Sequence, residues 1–176
     1  ADGAVDRVIG WKDGEFFYDP TPAVLSADEL DSLRYDSFCA ANLSKYLIAG
    51  TQKEGKILAL LKPCDTYSLN QLVKEHRVDR DKVYVLGVEC RGKADIDKIR
   101  KLGIKGIESI EELPGGELLC HTIYGDKTCK LNDVLLEKCL CCKGKAFAAF
   151  DDEALTGEPM PEAPKDRFAM VAKLEM

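Results

Sequence analysis

Four cysteines stand where thiolates can do chemistry. The apolar run 56–61 leads directly into Lys62-Pro63-Cys64, and the run 82–88 leads into Glu89-Cys90. A tight cluster, Cys139-Leu140-Cys141-Cys142, follows downstream. If both runs are parallel strands, Cys64 and Cys90 lie side by side at the carboxyl ends, where open α/β sheets place their ligands. The Cys139-x-x-Cys142 pair then brings four thiolates to one point. Such a set binds metal, and an iron–sulfur cluster is its sharpest form. Zinc also accepts four cysteines, which describes a rival of another class: a structural zinc domain acting as an interaction module. A C-x-x-C pair suits a thioredoxin-type dithiol as well. That reading requires the motif directly after a strand of its own βαβ unit, and here it falls near the end of the folded part.

Cys64 fits a ligand role doubly. A helix N-terminus lowers a thiol's pKa and offers backbone N–H groups to an anion, and Pro63 stiffens the approach. The competing reading is a cysteine packed as a small hydrophobe. In the cluster, two intervening residues let Cys139 and Cys142 face one metal without strain. Cys141 crowds the pair and leaves the register open between Cys141 and Cys142. Cys39, Cys120 and Cys129 follow no pattern, and the last two flank a predicted hairpin, where they read as core. His121 is an ordinary strand residue and His76 a helix-end residue. With two histidines and no Ser/His/Asp spacing, the chain holds no hydrolytic triad. The stretch Leu102-Gly103-Ile104-Lys105-Gly106 follows a helix instead of opening one, so it fails the dinucleotide fingerprint.

The elements that must position these residues can be read along the chain. Residues 5–11 and 15–18 flank Asp13-Gly14, a hairpin signal, and Asp19-Pro20-Thr21-Pro22 should break any strand. Ser26 and Glu29 form a capping box for a helix through 33, and 40–48 reads as a second helix ended by Gly50. The best-defined unit is a strand over 56–61, a helix with Asp65 as N-cap, and a strand over 83–88. Both strands are continuous apolar runs, as in a parallel sheet buried on both faces, joined by a right-handed crossover. A helix over 94–102 stops at Gly103. A strand over 104–110, a turn at Pro114-Gly115-Gly116, and a hairpin of 118–124 with 127–131 complete the pattern. Asn132 caps a short helix leading to the cysteine cluster. The expected fold class is α/β: a small, mainly parallel sheet with flanking helices and antiparallel hairpins. Residues 1–150 form the domain, and 151–176 a Pro- and Glu-rich linker with a C-terminal helix.

Composition narrows the function classes. The net charge of −6 over 176 residues, with no basic stripe, argues against nucleic acid. No apolar run approaches the ~18 residues a membrane span needs, and the N-terminus has no signal-peptide pattern. Eight cysteines are too few for a disulfide scaffold of this length. Clustered cysteines without a secretion signal point to a reducing, cytoplasmic setting and to metal or redox work.

In serial order these segments resemble the beta subunits of coenzyme F420-reducing hydrogenase and the related formate dehydrogenases. The resemblance runs from Val5-Asp6-Arg7-Val8-Ile9-Gly10, similar to the family's VDGV strand, through Pro22 and the helix after Ser26. It continues with Ser44-Lys45-Tyr46, Lys62-Pro63-Cys64, Leu86-Gly87-Val88-Glu89-Cys90 (the family's GLFC segment) and the Lys138-Cys139-x-x-Cys142 end. It implies an electron-transfer subunit of an oxidoreductase, not active alone, relaying electrons between a [4Fe–4S] cluster, FAD and an electron carrier. Cys64, Cys90, Cys139 and Cys142 are the implied ligands, and Ser44, Lys45 and Lys62 lie in segments resembling the flavin side of the family site. Implied partners are other redox subunits or a ferredoxin-type domain. The family's Gly-Gly segment ahead of the VDGV strand is missing from the sequence, so the chain is expected to be a piece of a longer protein that holds FAD weakly.

Overall fold

A computed structural model describes residues 5–142, 144 and 146–155. In chain order it contains strands β1 (Arg7–Lys12) and β2 (Thr21–Leu25), helix α1 (Leu47–Gly50), strand β3 (Ile57–Leu61), helix α2 (Pro63–Lys74) and strand β4 (Val83–Val88). Helix α3 (Ile96–Lys101), strands β5 (Ile107–Leu113), β6 (Glu117–Thr122) and β7 (Lys127–Lys130), helix α4 (Glu137–Leu140) and strand β8 (Asp152–Ala154) follow. The C-terminal helix expected near 166–176 lies outside the described residues.

One sheet has the order β2-β1-β3-β4-β8, with β1, β3, β4 and β8 parallel and β2 antiparallel at the edge. The second is antiparallel, in the order β5-β6-β7. The architecture is α/β, as the alternation of apolar runs and helical segments implied. The runs at 56–61 and 83–88 became β3 and β4, with one face fully buried and the other part-covered up to the exposed Tyr84. Ile57, Ala59, Leu61 and Val85 are fully buried, and α2 adds Leu69 to the same core. Each such aliphatic burial contributes about 1.5–3 kcal/mol. A second core, built from Ile99, Ile104, Leu118, Leu131, Val134 and Leu135, joins α3 to the antiparallel sheet.

Several expectations are corrected. Residues 15–18 form no strand; β1 pairs instead with β2, Trp11 opposite Pro22. Proline is tolerated there because β2 is an edge strand, whose outer N–H positions need no ladder partner. Gly14 is required at the bend, since a Cβ there would strike the Asp19 carbonyl. The capping box survives, Ser26 N and Oγ donating to Glu29 Oε2 at 3.0 and 2.8 Å, but it opens a 3₁₀ helix, Ala27–Ser32. The predicted helix over 40–48 shrinks to the 3₁₀ turn Ser44–Tyr46 and α1, because the Asn42 side chain captures the Ser44 N–H at 2.9 Å. Asp65 is not the cap of α2. Lys62 occupies that position and Pro63 is the first helical residue, where its missing N–H costs nothing. Asn132 lies inside a 3₁₀ turn, Leu131–Asp133, and α4 starts after Leu136 without a side-chain cap. Strand β8 falls in the stretch read as linker. Its register on β4 runs from Leu86↔Asp152 to Val88↔Ala154.

Candidate metal centre

Strand register brings the first two cysteines together. Leu61 of β3 is opposite Gly87 of β4, and Cys64 and Cys90 each lie three residues beyond that pair. Past Cys90 the chain turns at Gly92, whose φ of +108° and close approach to Leu135 favour glycine. The next residues grip the segment that leads into α4. Asp95 N donates to Val134 O at 2.7 Å, Leu136 N to Lys93 O at 2.8 Å, and Ala94 bridges Leu135. This carries Cys139 in α4 alongside Cys90. Lys138 Nζ anchors the same turn on Ala40 O at 2.6 Å. Beyond Cys142, Gly144 lies over the start of α2, where an added Cβ would come within 3.0 Å of the Cys64 amide nitrogen.

All eight cysteines are free. Cys64 and Cys142 are hydrogen-bond partners, with Cys64 as the donor. That hydrogen bond, with crowding by protein second and the Asp65 charge third, holds Cys64 far above an ordinary thiol. The same bond draws Cys142 down to about 6, against the opposing effect of burial. Cys64 Sγ also lies 3.7 Å from Asp65 Oδ1. Cys139 is raised by burial, while the Lys93 backbone N–H donates to its sulfur and opposes the rise. Cys90 is near enough that its charge raises both Cys64 and Cys139. Cys139 and Cys141 both pack against the second core. Among the described residues no group of three or more His, Cys, Asp or Glu side chains has metal-holding geometry. The donor type is nonetheless all-thiol and soft, which suits iron–sulfur or zinc. Two of the thiols touch, and the other two lie in electrostatic range.

Two lysines close to these segments are buried. Lys62, 2% exposed, donates to Ala41 O at 2.7 Å and places its ammonium 4.2 Å from the Trp11 ring centroid. Its Nζ lies 2.8 Å from Asp65 Oδ2, an ionic contact oriented away from hydrogen-bond geometry. Burial lowers the Lys62 pKa and Asp65 opposes it. Lys93, 3% exposed, donates to Asp36 O at 2.7 Å and lies 4.1 Å from the Tyr35 ring centroid. Tyr35 in turn donates to the Glu89 carbonyl beside Cys90.

The other predicted residues are placed as follows. Ser44 is fully buried, and its hydroxyl donates to Asp65 O at 2.6 Å, bracing the first turn of α2. Lys45 is exposed, its ammonium 5.0 Å from the Tyr46 ring. Beside them opens a hollow of roughly 450 Å3 lined by Tyr18, Pro22, Ala41, Tyr46, Asp95 and Leu136, among others. Sequence reasoning missed Lys93, Asp65 as an ion partner, and the Trp11 and Tyr35 rings. The available signal was a lysine three residues past a strand-end cysteine, which composition alone does not separate from a surface charge.

Comparison with known proteins bears on what this arrangement belongs to. The chain is 33% identical over 91 residues to the F420-dependent formate dehydrogenase 1 subunit beta of Methanococcus maripaludis, a match covering 51% of this chain and 24% of that protein. It is 34% identical over 89 residues to the F420-dependent formate dehydrogenase subunit beta of Methanocaldococcus jannaschii, covering 50% of this chain and again 24% of the relative. Over about half its length this chain is similar in sequence to those beta subunits. The matched stretch is about a quarter of each relative's length. No protein-family model matches the sequence. A chain in the structure of the F420-reducing [NiFe] hydrogenase complex from Methanosarcina barkeri shares the fold, with a TM-score of 0.61 and 16% identity, covering 80% of this chain and 54% of that one. Among the described residues no helix is long and apolar enough to cross a membrane.

Proposed function

We propose that this chain is the iron–sulfur part of an oxidoreductase beta subunit, with Cys64, Cys90, Cys139 and Cys142 holding a [4Fe–4S] cluster that exchanges electrons with a flavin or soluble carrier. The observation supporting this reading is the close approach of the Cys142–Gly144 segment to Cys64 at the start of α2, nearly eighty residues earlier in the sequence. Cys90 and Cys139 lie close to it. The relatives are subunits of F420-dependent formate dehydrogenases by name, which favours redox work over a structural zinc role.

When bound, the cluster supplies one-electron chemistry. The chain's own residues position and shield it. Pro63 and the Lys62 turn fix Cys64 at the helix start, the Lys93 N–H donates to Cys139 sulfur, and Gly144 closes over Cys64. Of the three residues assigned to the flavin side, Ser44 and Lys62 are buried and engaged, so their contribution is to hold α2. Lys45 is exposed beside the hollow and is the one that meets a carrier. Partner redox subunits then dock on the cysteine edge in a reducing cytoplasm.

Anaerobic purification tests the reading. Brown protein with stoichiometric iron and sulfide, and an electron paramagnetic resonance signal on reduction, is the expected result. Colourless protein carrying zinc and no iron would favour the structural metal domain.

A further inference from the structure

Three consecutive aromatic residues, Phe16-Phe17-Tyr18, form a turn in place of the expected strand, and none of them belongs to the cysteine segments. The turn is fixed. Asp19 N donates to Phe16 O at 3.0 Å, and Arg34 Nη2 donates to Phe17 O at 2.6 Å. Phe16 stacks on Tyr18 with ring centroids 5.2 Å apart, and Phe17 meets the same ring edge-on at 5.1 Å. Phe17 and Tyr18 line a hollow of roughly 370 Å3 together with the buried Ile104 and the half-buried Ile107. Small-molecule sites begin at about 300 Å3 and combine such apolar walls with a few polar groups.

The polar groups here are of one sign. Arg100 and Lys105 line the hollow, and among its described lining residues there is no carboxylate. In a chain of net charge −6 that is a local reversal, and it selects for anions. Arg100 is held in place: its guanidinium lies 5.2 Å from the Tyr18 ring centroid and donates to the Tyr18 hydroxyl and to Asp97 Oδ1, the latter at 3.1 Å. A guanidinium has five N–H donors, so two such bonds leave others for a ligand. We propose that this hollow binds a small aromatic carboxylate, its flat ring against Tyr18 and the isoleucines and its carboxylate on Arg100 and Lys105. The planar guanidinium matches a carboxylate in shape. Both cations are exposed, so they supply selection for charge while the apolar walls supply contact area. The site stands apart from the iron–sulfur reading and does not depend on it.

The experiment titrates 2-naphthoate into the isotopically labelled full chain and follows backbone amide resonances. Saturable shifts should concentrate on Phe17, Tyr18, Arg100 and residues 104–107. Arg100→Gln should weaken binding about tenfold, as loss of one charge-assisted hydrogen bond implies, and Lys105→Gln should weaken it by a smaller factor. The uncharged analogue 2-naphthalenemethanol should bind the native chain about tenfold more weakly than naphthoate, for the same reason. Lys74→Gln, which removes an exposed charge at the far end of α2, should change nothing. Shifts that do not saturate, or that centre on another part of the surface, overturn the proposal. Equal affinity for the charged and uncharged compounds also overturns it, and that comparison needs no variant to fold. None of these outcomes turns on whether the cysteines hold a metal.

Discussion

Two pairs of cysteines touch in this molecule, and they behave in opposite ways. Cys64 and Cys142 lie together at the carboxyl edge of the parallel sheet, and their interaction raises Cys64 while drawing Cys142 down to about 6. Cys120 and Cys129 meet on one face of the β6–β7 ladder, Cys120 opposite Lys127 and Cys129 opposite Leu118. Burial raises both of these thiols, Cys120 to about 12 with further help from Cys129. Adjacent thiols therefore ionise differently according to what surrounds them. The first pair has a helix start, a close glycine and the buried Lys62 ammonium around it. The second has core side chains. Reactivity comes from the surroundings, and those depend on where the strands end.

Substitution should break this contrast most completely. Cys64→Ser and Cys142→Ser should each strip the iron from anaerobically purified protein, while Cys120→Ser and Cys129→Ser keep all of it. Iron loss in Cys120→Ser would move the site to the antiparallel sheet. Thiol labelling of the iron-free chain should sharpen the contrast next. With Cys142 drawn down to about 6, it should alkylate readily at pH 8, and labelling should fall as pH drops through about 6 and the thiolate is protonated. Cys120, held protonated up to about 12, should stay unlabelled across that range; peptide mass mapping reads both.

Stability should separate the regions more modestly. Lys62→Met leaves Asp65 buried without its ion partner and should cost about 3–5 kcal/mol, measured by urea unfolding of the metal-free chain. The smallest effect belongs to the antiparallel sheet. His121 makes partly exposed ion contacts with Asp126 at 3.1 Å and Glu111 at 3.8 Å. His121→Ala should therefore change stability by about 0–1 kcal/mol. A Lys62→Met cost as small as that would mean the buried pair is dispensable to the fold.

The sequence was most legible where burial is deepest. Strands β3 and β4 announce themselves as apolar runs, and the cysteine after each is visible without coordinates. It was least legible where backbone or side-chain hydrogen bonds override pattern. Pro22 concealed β2 because proline is excluded only from strands with two neighbours. Asn42 cut short a helix that apolar spacing supported. Strand β8 is Asp152-Glu153-Ala154, all exposed, and carries no hydrophobic signal; its neighbour Asp151 accepts Val85 N–H at 2.7 Å and helps pin the pairing. At the site, cysteine spacing showed the thiols but not their ionic setting. Lys62 and Lys93 look like surface charges until the packing of Trp11 and Tyr35 is known.

The short strand β8 has a mechanical consequence for the cysteine loop. The chain between Leu135 and Asp152 is fastened at both ends to the segment around β4, by the Ala94 bridge on one side and by the Leu86–Asp152 pairing on the other. Ala148 N donates to Thr66 Oγ1 at 2.9 Å, a third fastening onto α2. Cys139 and Cys142 are thus presented on a closed span and not on a free arm. Much of the configurational entropy of gathering distant ligands is then lost when the sheet forms, not when an ion arrives. Cys139 and Cys142 are consequently held near Cys64 at a high local concentration, and the three exposed residues of β8 fasten the loop from its opposite end.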